Sequence, residues 1–332
     1  MPVSVIGIDL AKNVFQIHGV NDVGRPVLLK QLRREQMMSF FAQQPPCLVG
    51  MEACASAHHW ARKLQDLGHT VRLMAPQFVK PYVKSNKNDA ADAEAICEAV
   101  RRPTMRFVPV KNVEQQAALA LHRARQRLVK SRTAQANQSR GLLAEYGPVM
   151  LPRISAVRAN APKLLEEAAG WISGAFCELI SELLEHLKSL DQRVKTLERK
   201  IRAWHRDNVL SLKLEAIPGI GAMIASALVA SIGDAKHFKN GWQLAAWLGL
   251  VPRQYSTGGK PKLLGISKRG DRYLRTLLIH GARSALRTAH QKSIGERWLN
   301  RLVERRHRII AVVALANKNE RIAWALLVQQ NL

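Results

Sequence analysis

Residues 3–32, VSVIGIDLAKNVFQIHGVNDVGRPVLLKQL, decide the fold of the N-terminal part of the chain. Three short apolar runs, Val3–Leu10, Val14–Val20 and Pro26–Leu32, are separated by polar breaks, and the second break contains a glycine. Runs of this length that are rich in Val, Ile and Leu and bounded by turn-forming residues predict β-strands. We therefore expect three consecutive strands at the start of the chain.

Alternating helices and strands are predicted after this three-strand unit. Residues 35–43 and 57–67 predict helices, and the apolar runs 47–52 and 71–75 predict two more buried strands. This order of elements is that of a ribonuclease-H-like sheet, although other α/β folds also fit the pattern. We expect an α/β domain over residues 1–110.

The charge of the whole chain indicates a polyanionic partner. Among 332 residues, 51 are Lys or Arg and 25 are Asp or Glu, so the formal net charge is +26. Each cation that meets a phosphate releases condensed counterions, and an excess of this size is typical of nucleic-acid binding. No apolar run approaches the roughly 18 residues of a transmembrane helix, and the N-terminus lacks a signal-peptide pattern. We expect a soluble, cytoplasmic protein with no membrane partner.

Two long helical patterns occupy the middle region, residues 111–206. The first, 112–145, has polar Gln135 in a heptad register of leucines, Leu121, Leu128 and Leu142. The second alternates steps of three and four through Ile180, Leu183, Leu187, Leu190, Val194, Leu197 and Ile201. These patterns predict a coiled coil across a connection at 148–162, either as a hairpin or between subunits, with ordinary bundle helices as the alternative. The first helix also carries candidate nucleic-acid contacts, namely Arg123, Arg125, Arg127, Lys130 and Arg132.

A third region, residues 207–332, is predicted to be mostly helical. Ile217-Pro-Gly-Ile-Gly221, followed by an apolar stretch at 222–232, has the form of a helix-hairpin-helix turn. Backbone amides at a helix N-terminus hold a phosphate in such a turn, so Gly219 and Gly221 are candidate nucleic-acid contacts. A plain tight turn between packed helices is the alternative.

Four acidic residues are candidates for a metal site. Asp9 and Glu52 each end an apolar run, and the carboxyl ends of adjacent strands meet at one sheet edge. Asp89 and Asp92 have the i, i+3 spacing that places both on one helix face. Because like charges repel unless a cation lies between them, the set points to Mg²⁺ or Mn²⁺, with one ion or two. Taken singly, each acid is also explained as a strand end, an N-cap or a first-turn residue.

A second candidate site lies between residues 249 and 272. Ser256 and Thr257 precede paired glycines, which let a backbone approach its substrate closely. Cations flank the hydroxyls and are candidate DNA contacts: Arg253, Lys260, Lys268 and Arg269. The pattern is compatible with a serine nucleophile for a DNA phosphate, and on these residues alone a flexible basic loop that only touches DNA is the simpler alternative.

Six segments resemble the DEDD-type insertion-sequence transposases, also called bridge-RNA-guided recombinases, of the IS110 family and its IS1111 group. In order along the chain, the segments are Gly7–Lys12, Gly50–Cys54, Asn88–Ala93, Ile217–Gly221, Trp247–Arg253 and Gly265–Gly270. Each is weak alone, but the combination is specific and spans nearly the whole chain.

The resemblance implies a fold, a site and partners. The first domain would be ribonuclease-H-like of the RuvC type, with a metal-binding tetrad at Asp9, Glu52, Asp89 and Asp92. The C-terminal transposase domain would supply a serine that becomes covalently linked to DNA, in a composite site shared between subunits of a dimer or tetramer. A noncoding bridge RNA encoded by the element would pair with donor and target DNA, in a prokaryotic cytoplasm and at the nucleoid.

One position departs from the family pattern. The family commonly has serine directly before the glycine, where this chain has Thr257 preceded by Ser256. We favour Ser256 as the nucleophile because a primary hydroxyl is less hindered, and Thr257 is the alternative. Two other functions compete with the recombinase: a junction resolvase whose acids activate water, and a non-catalytic nucleic-acid-binding protein.

Overall fold

The computed structural model describes residues 2–84, 88–167, 170, 172–292 and 297–329. The chain divides into two compact units, the first formed by residues 1–113 with 232–237 and the second by residues 114–231 with 238–332. The first unit contains a mixed α/β sheet and the second is mostly helical, which confirms the predicted classes of the two ends. The predicted division at 206/207 falls within the second unit and stays a prediction.

A mixed sheet of six strands forms the centre of the first unit. Its strands are β1 (Val5–Leu10), β2 (Val14–Val20), β3 (Pro26–Arg33), β4 (Leu48–Glu52), β5 (Thr70–Met74) and β6 (Phe107–Val108). Across the sheet the order is β3-β2-β1-β4-β5-β6. The first three strands are antiparallel, β4 and β5 run parallel to β1, and β6 returns antiparallel to β5. All five predicted strands are confirmed to within two residues at each end, and the two-residue β6 was missed.

Helices cover both faces of this sheet. They are α1 (Met37–Ala42), α2 (Ala57–Asp66), α3 (Pro76–Val79) and α4 (Asp89–Val100). The helix predicted at 35–43 is shorter than expected because a 3-10 turn, Arg34–Gln36, precedes α1. Side chains alternate along β1, so Ile6 and Ile8 enter the core with α1 and α2, whereas Val5 enters the core with α4.

Two glycines leave room for α4 on the face of the sheet that this helix covers. A Cβ atom at Gly7 would lie 2.4 Å from both the Ala93 carbonyl oxygen and the Cys97 amide nitrogen. At Gly50, on β4, it would lie 2.7 Å from Cβ of Val100. Helix α4 therefore packs against β1 and β4 at a distance that a side chain at either position would prevent.

The second unit is built from nine described helices and one hairpin. The helices are α5 (Val113–Ala144), α6 (Ile154–Glu167), α7 (Gly174–Arg206), α8 (Val209–Glu215), α9 (Ala222–Ile232), α10 (Gly241–Trp247), α11 (Arg272–Lys292), α12 (Arg297–Arg305) and α13 (Arg308–Val328). The segment 148–162 was predicted as a connection, but most of it belongs to α6. Val157 and Ala161 of this helix are buried with residues of α5 and α7. Burial of that apolar face outweighs the helix-breaking tendency of Pro162. Among the described residues, no helix is both long and apolar enough to cross a membrane.

Helices α5 and α7 lie antiparallel within the second unit. Arg125 pairs with Glu198, and Arg132 pairs with Asp191 nearer the start of α7. Five of the seven predicted seam positions on α7 are buried, and Leu183 and Leu197 are half-buried. The hairpin alternative is thus the arrangement within this chain, while a coiled coil and a role in pairing subunits stay predictions.

The predicted loop around Ser256 is a β-hairpin, formed by β7 (Pro252–Thr257) and β8 (Lys260–Ile266). The turn residues Gly258 and Gly259 have φ of 56° and 73°. Positive φ at both central positions belongs to the type I′ turn, which suits glycine and matches the twist of the two strands. The Gly-Gly pair was the signal for this turn in the sequence, and the segment predicted as a loop is two paired strands.

We expect Gly7→Ala to destabilise the protein by about 1–3 kcal/mol, because its methyl group would overlap the backbone of α4. Urea unfolding followed by circular dichroism measures the change. Gly174→Ala is the matched control, since Gly174 is the first residue of α7 and an added Cβ there meets nothing within 4 Å. Equal stability of the two variants would contradict the close packing of α4 on β1.

Candidate active site

Three carboxylates meet at one edge of the sheet in the first unit. Asp9 lies near the end of β1, Asp89 is the first residue of α4, and Asp92 follows one turn later. One oxygen from each side chain lies within 4.8 Å of the other two. The cap of α4 is Asn88, whose side chain accepts a hydrogen bond from the Ala90 amide at 3.0 Å, so the N-cap interpretation of Asp89 is wrong.

Glu52 lies beside this group but is not part of it. Strands β1 and β4 run parallel with Ile8 opposite Met51, so Asp9 and Glu52 follow at the same edge. Burial raises the pKa of Glu52, and the negative charges of Asp9 and Asp92 raise it further. The structure therefore brings three of the four predicted acids into one group and places the fourth within its electric field.

The acidic group has the composition of a site for a hard divalent cation. Asp9 and Asp92 are half-buried and Asp89 is exposed, so a cation can reach their oxygens from solvent. Carboxylate oxygens are the ligands that Mg²⁺ prefers, and a bound cation would relieve the repulsion between three like charges. These residues fit a divalent metal.

Ser256 and Thr257 are both exposed on β7, and they point to opposite faces of the hairpin. Thr257 lies opposite Lys260 across the hairpin, whereas Ser256 lies opposite Pro261. The Gln254 side chain, two residues earlier on the face of Ser256, donates a hydrogen bond from Nε2 to the serine Oγ at 2.8 Å. Sequence reasoning missed Gln254, although a two-residue spacing on a strand places two side chains on one face.

The predicted cations around the hairpin are all exposed: Arg253, Lys260, Lys268 and Arg269. Arg275 fixes the chain that follows β8, because its buried guanidinium donates hydrogen bonds of 2.9 Å to the Leu248 and Arg269 carbonyl oxygens. The hairpin thus projects from a firmly connected base and carries its hydroxyls and cations into solvent.

Of the candidate cations on α5, three are exposed and two form ion pairs. Arg123, Arg127 and Lys130 are exposed. Arg125 and Arg132 instead pair with carboxylates of α7. The first three therefore form the part of the predicted nucleic-acid surface on α5 that is free of these pairs.

The predicted helix-hairpin-helix segment connects α8 to α9, as expected for either a phosphate-binding turn or a plain one. Gly219 has φ of 89°, and a Cβ there would lie 2.6 Å from the Gly281 carbonyl oxygen on α11. Packing against α11 is therefore sufficient to explain why position 219 is a glycine. Gly221 is exposed and an added Cβ would meet nothing within 4 Å, so its contact with a phosphate stays a prediction.

Comparison with known proteins shows which family this sequence belongs to. Residues 6–148 match a DEDD-type transposase domain model of the IS110 type, and residues 211–298 match the family described as transposase IS116/IS110/IS902. The chain belongs to this transposase family. The first match contains all four predicted acids, and the second contains Ser256 and Thr257.

Whole-length relatives agree with this assignment. A probable family 20 transposase of Pseudomonas aeruginosa is 54% identical, over 98% of this chain and 97% of the relative. The transposase for insertion sequence element IS1111A of Coxiella burnetii is 44% identical, over 99% and 90%. The transposase for element IS1328 of Yersinia enterocolitica is also 44% identical, over 98% and 97%. The protein is thus an insertion-sequence transposase, and its substrates are DNA.

Divalent cations should raise the melting temperature of this transposase by several degrees at saturating Mg²⁺ or Mn²⁺, since they bind the folded acidic group. Asp9→Asn and Asp92→Asn should lose this increase, while their metal-free melting temperatures stay equal or rise because repulsion is relieved. Differential scanning fluorimetry with and without chelator measures both effects. Asp66→Asn, an exposed acid at the end of α2, is the control and should respond like the wild type.

Proposed function

We propose that this transposase is an RNA-guided DNA recombinase that cuts and rejoins strands through a covalent phosphoserine. The observation that carries the proposal is the convergence of Asp9 on β1 with Asp89 and Asp92 on α4, a distant segment of the sequence, into one group of ligand oxygens. The exposed Ser256 of the second unit supplies a nucleophile of the kind such a reaction needs.

The first unit is proposed to be ribonuclease-H-like, of the RuvC type. Three antiparallel strands followed by two parallel strands, with helices between them, support this assignment. In it, Asp9, Asp89 and Asp92 would hold a divalent metal, and Glu52 would complete the acidic set from β4. When bound there, Mg²⁺ or Mn²⁺ would supply positive charge that stabilises the phosphoryl and departing oxygens.

The covalent step uses groups of the second unit. The Ser256 Oγ loses its proton to solvent and forms a bond to the phosphorus, while the bond to the departing deoxyribose oxygen breaks and that oxygen takes up a proton. The phosphoserine ester retains a phosphoester bond, so attack by another strand's hydroxyl rejoins DNA without ATP. Four exposed cations on the hairpin and the segment after it are proposed to contact DNA phosphates: Arg253, Lys260, Lys268 and Arg269.

Two observations favour Ser256 over Thr257 as the nucleophile. The hydrogen bond from Gln254 holds the Ser256 hydroxyl in one orientation and leaves its proton free to depart. Its oxygen is also primary, which reduces crowding at the phosphorus. Thr257 shares its face with Lys260 and is the alternative.

The proposed partners are a bridge RNA encoded by the element, donor DNA and target DNA. The net charge of +26 supports backbone contacts to several strands at once, with sequence choice left to base pairing. The acidic group and the serine are proposed to come from different subunits of a dimer or tetramer. A resolvase-like nuclease that activates water is the second candidate function, since the acidic group would suffice for it.

Ser256→Ala should reduce the covalent protein–DNA adduct at least about a hundredfold, because the attacking oxygen is lost. The adduct is measured on denaturing gels with labelled element-end DNA in Mg²⁺. Thr257→Ala is the matched control and should retain the adduct; the reverse result would assign the reaction to Thr257. Cleavage by Ser256→Ala with a free phosphate at the new end would instead support the resolvase-like function.

Asp9→Asn and Glu52→Gln should abolish strand cleavage while leaving RNA binding largely unchanged, because the cations that hold RNA lie elsewhere.

Wild-type protein expressed with its flanking DNA and purified at moderate salt should carry one defined RNA, with segments complementary to the element end and the insertion site. Sequencing the bound nucleic acid tests this. Heterogeneous RNA, or none with folded protein, would contradict RNA guidance.

A further inference from the structure

A groove with a volume of about 600 Å³ lies between α11 and the start of α13, within the second unit. We call it the α11–α13 groove. It is lined by Ile279, His280, Arg283, Ser284 and Arg287 of α11, and by His307, Arg308, Ile309 and Val312 at and after the start of α13. Residues 307–312 lie outside both matched family segments. None of the residues above is used by the proposed chemistry.

The rim of the groove carries several positive charges. Arg283 and Arg287 are exposed and one helical turn apart on α11, and Arg308 is exposed at the start of α13. None of the described residues that line the groove is acidic, and none of the three arginines forms an ion pair with a described carboxylate. Like charges at this spacing destabilise the free protein unless an anion lies between them.

The start of α13 strengthens the same preference. Helix α13 has 21 residues and no acid in its first turn, and its first residue is Arg308. A helix N-terminus carries a partial positive charge, so an arginine there is unfavourable where an acid would be stabilising. The cap is His307, whose Nδ1 accepts the hydrogen bond of the Ile309 amide. The two helices thus present cationic side chains and a positive dipole to the same groove.

The floor of the groove is apolar. Val312 is buried and Ile279 is half-buried, while Ile309 is 60% exposed at the mouth. Pockets for small organic ligands measure about 300–1,000 Å³, so this volume suits a single nucleotide. A phosphate at the arginines and a base against the isoleucines would satisfy both the charge and the apolar surface.

We propose that the α11–α13 groove binds one unpaired nucleotide of a nucleic-acid strand, with its phosphate at Arg283, Arg287 and Arg308 and its base against Ile309. The inference deepens the proposed recombinase function, in which strand exchange leaves nucleotides unpaired. The shared chemistry is the phosphodiester of a single strand, which DNA or RNA can supply.

The test compares binding of fluorescein-labelled oligothymidine, oligouridine and a mixed-sequence DNA duplex by fluorescence anisotropy in EDTA. The double variant Arg283→Gln with Arg287→Gln should weaken single-strand binding on the order of tenfold. It should also lower the slope of log affinity against log salt by about 1.4, from about 0.7 per lost contact. Loss with oligothymidine, oligouridine or both identifies the strand that the groove accepts, and each supports the proposal.

The matched control is Arg202→Gln with Arg206→Gln, two exposed arginines at the same i, i+4 spacing on α7. Melting curves show whether each double variant stays folded. Ile309→Ser tests the apolar contact with the base at the mouth of the groove and should weaken single-strand binding with little effect on the duplex. The proposal is overturned if the groove variants bind single strands like the control pair, or if they lose duplex binding to the same degree.

Because binding is measured in EDTA, the result is independent of cleavage, of the acidic group and of Ser256. Loss of the covalent adduct in Ser256→Ala with unchanged groove binding would support the recombinase alone. Groove binding without any adduct in the wild type would support the nucleotide site and contradict the phosphoserine mechanism.

Discussion

The absence of a side chain at Gly7 is the constraint on which the acidic group depends. Because side chains alternate along a strand, Gly7 and Asp9 share the face of β1 that α4 covers. Gly50 and Glu52 repeat this arrangement on β4, so each strand offers a glycine for contact and then an acid beyond it. Gly7 lets the backbone of α4 approach β1 closely, and the first turn of α4 then lies beside Asp9. One packing distance thus determines how close the carboxylates lie.

Much of the first unit could be predicted because its local patterns and its packing agree. The apolar runs marked the five long strands, and the acids at their ends marked the site. What the sequence could not show depends on contacts between distant segments. Strand β6 has two residues and exists through its pairing with β5, and α6 forms despite Pro162 because Val157 and Ala161 are buried with residues of α5 and α7. Gln254 was missed because the segment was expected to be a loop, in which a two-residue spacing has no meaning.

The net charge of the chain predicted a nucleic-acid partner, but it did not identify which cations form the binding surface. Arg125 and Arg132 were indistinguishable in sequence from their neighbours on α5, yet each is held by an acid of α7. Conversely, the arginines of α11 and α13 lie on separate helices and line one groove only because these helices pack together. A count of cations therefore bounds the electrostatic attraction, and the fold decides which of them face a phosphate.

The hairpin of β7 and β8 has another consequence. Both of its faces lie in solvent along almost its whole length, and a two-stranded ribbon of this kind is only marginally stable in water. Ordering such a ribbon carries an entropic penalty, which is met when a partner covers it. Because binding and ordering are linked, a nucleic acid that covers the ribbon also reduces the number of orientations available to the Ser256 and Thr257 hydroxyls. Substrate binding then also completes the alignment of the Ser256 hydroxyl, which the hydrogen bond from Gln254 begins.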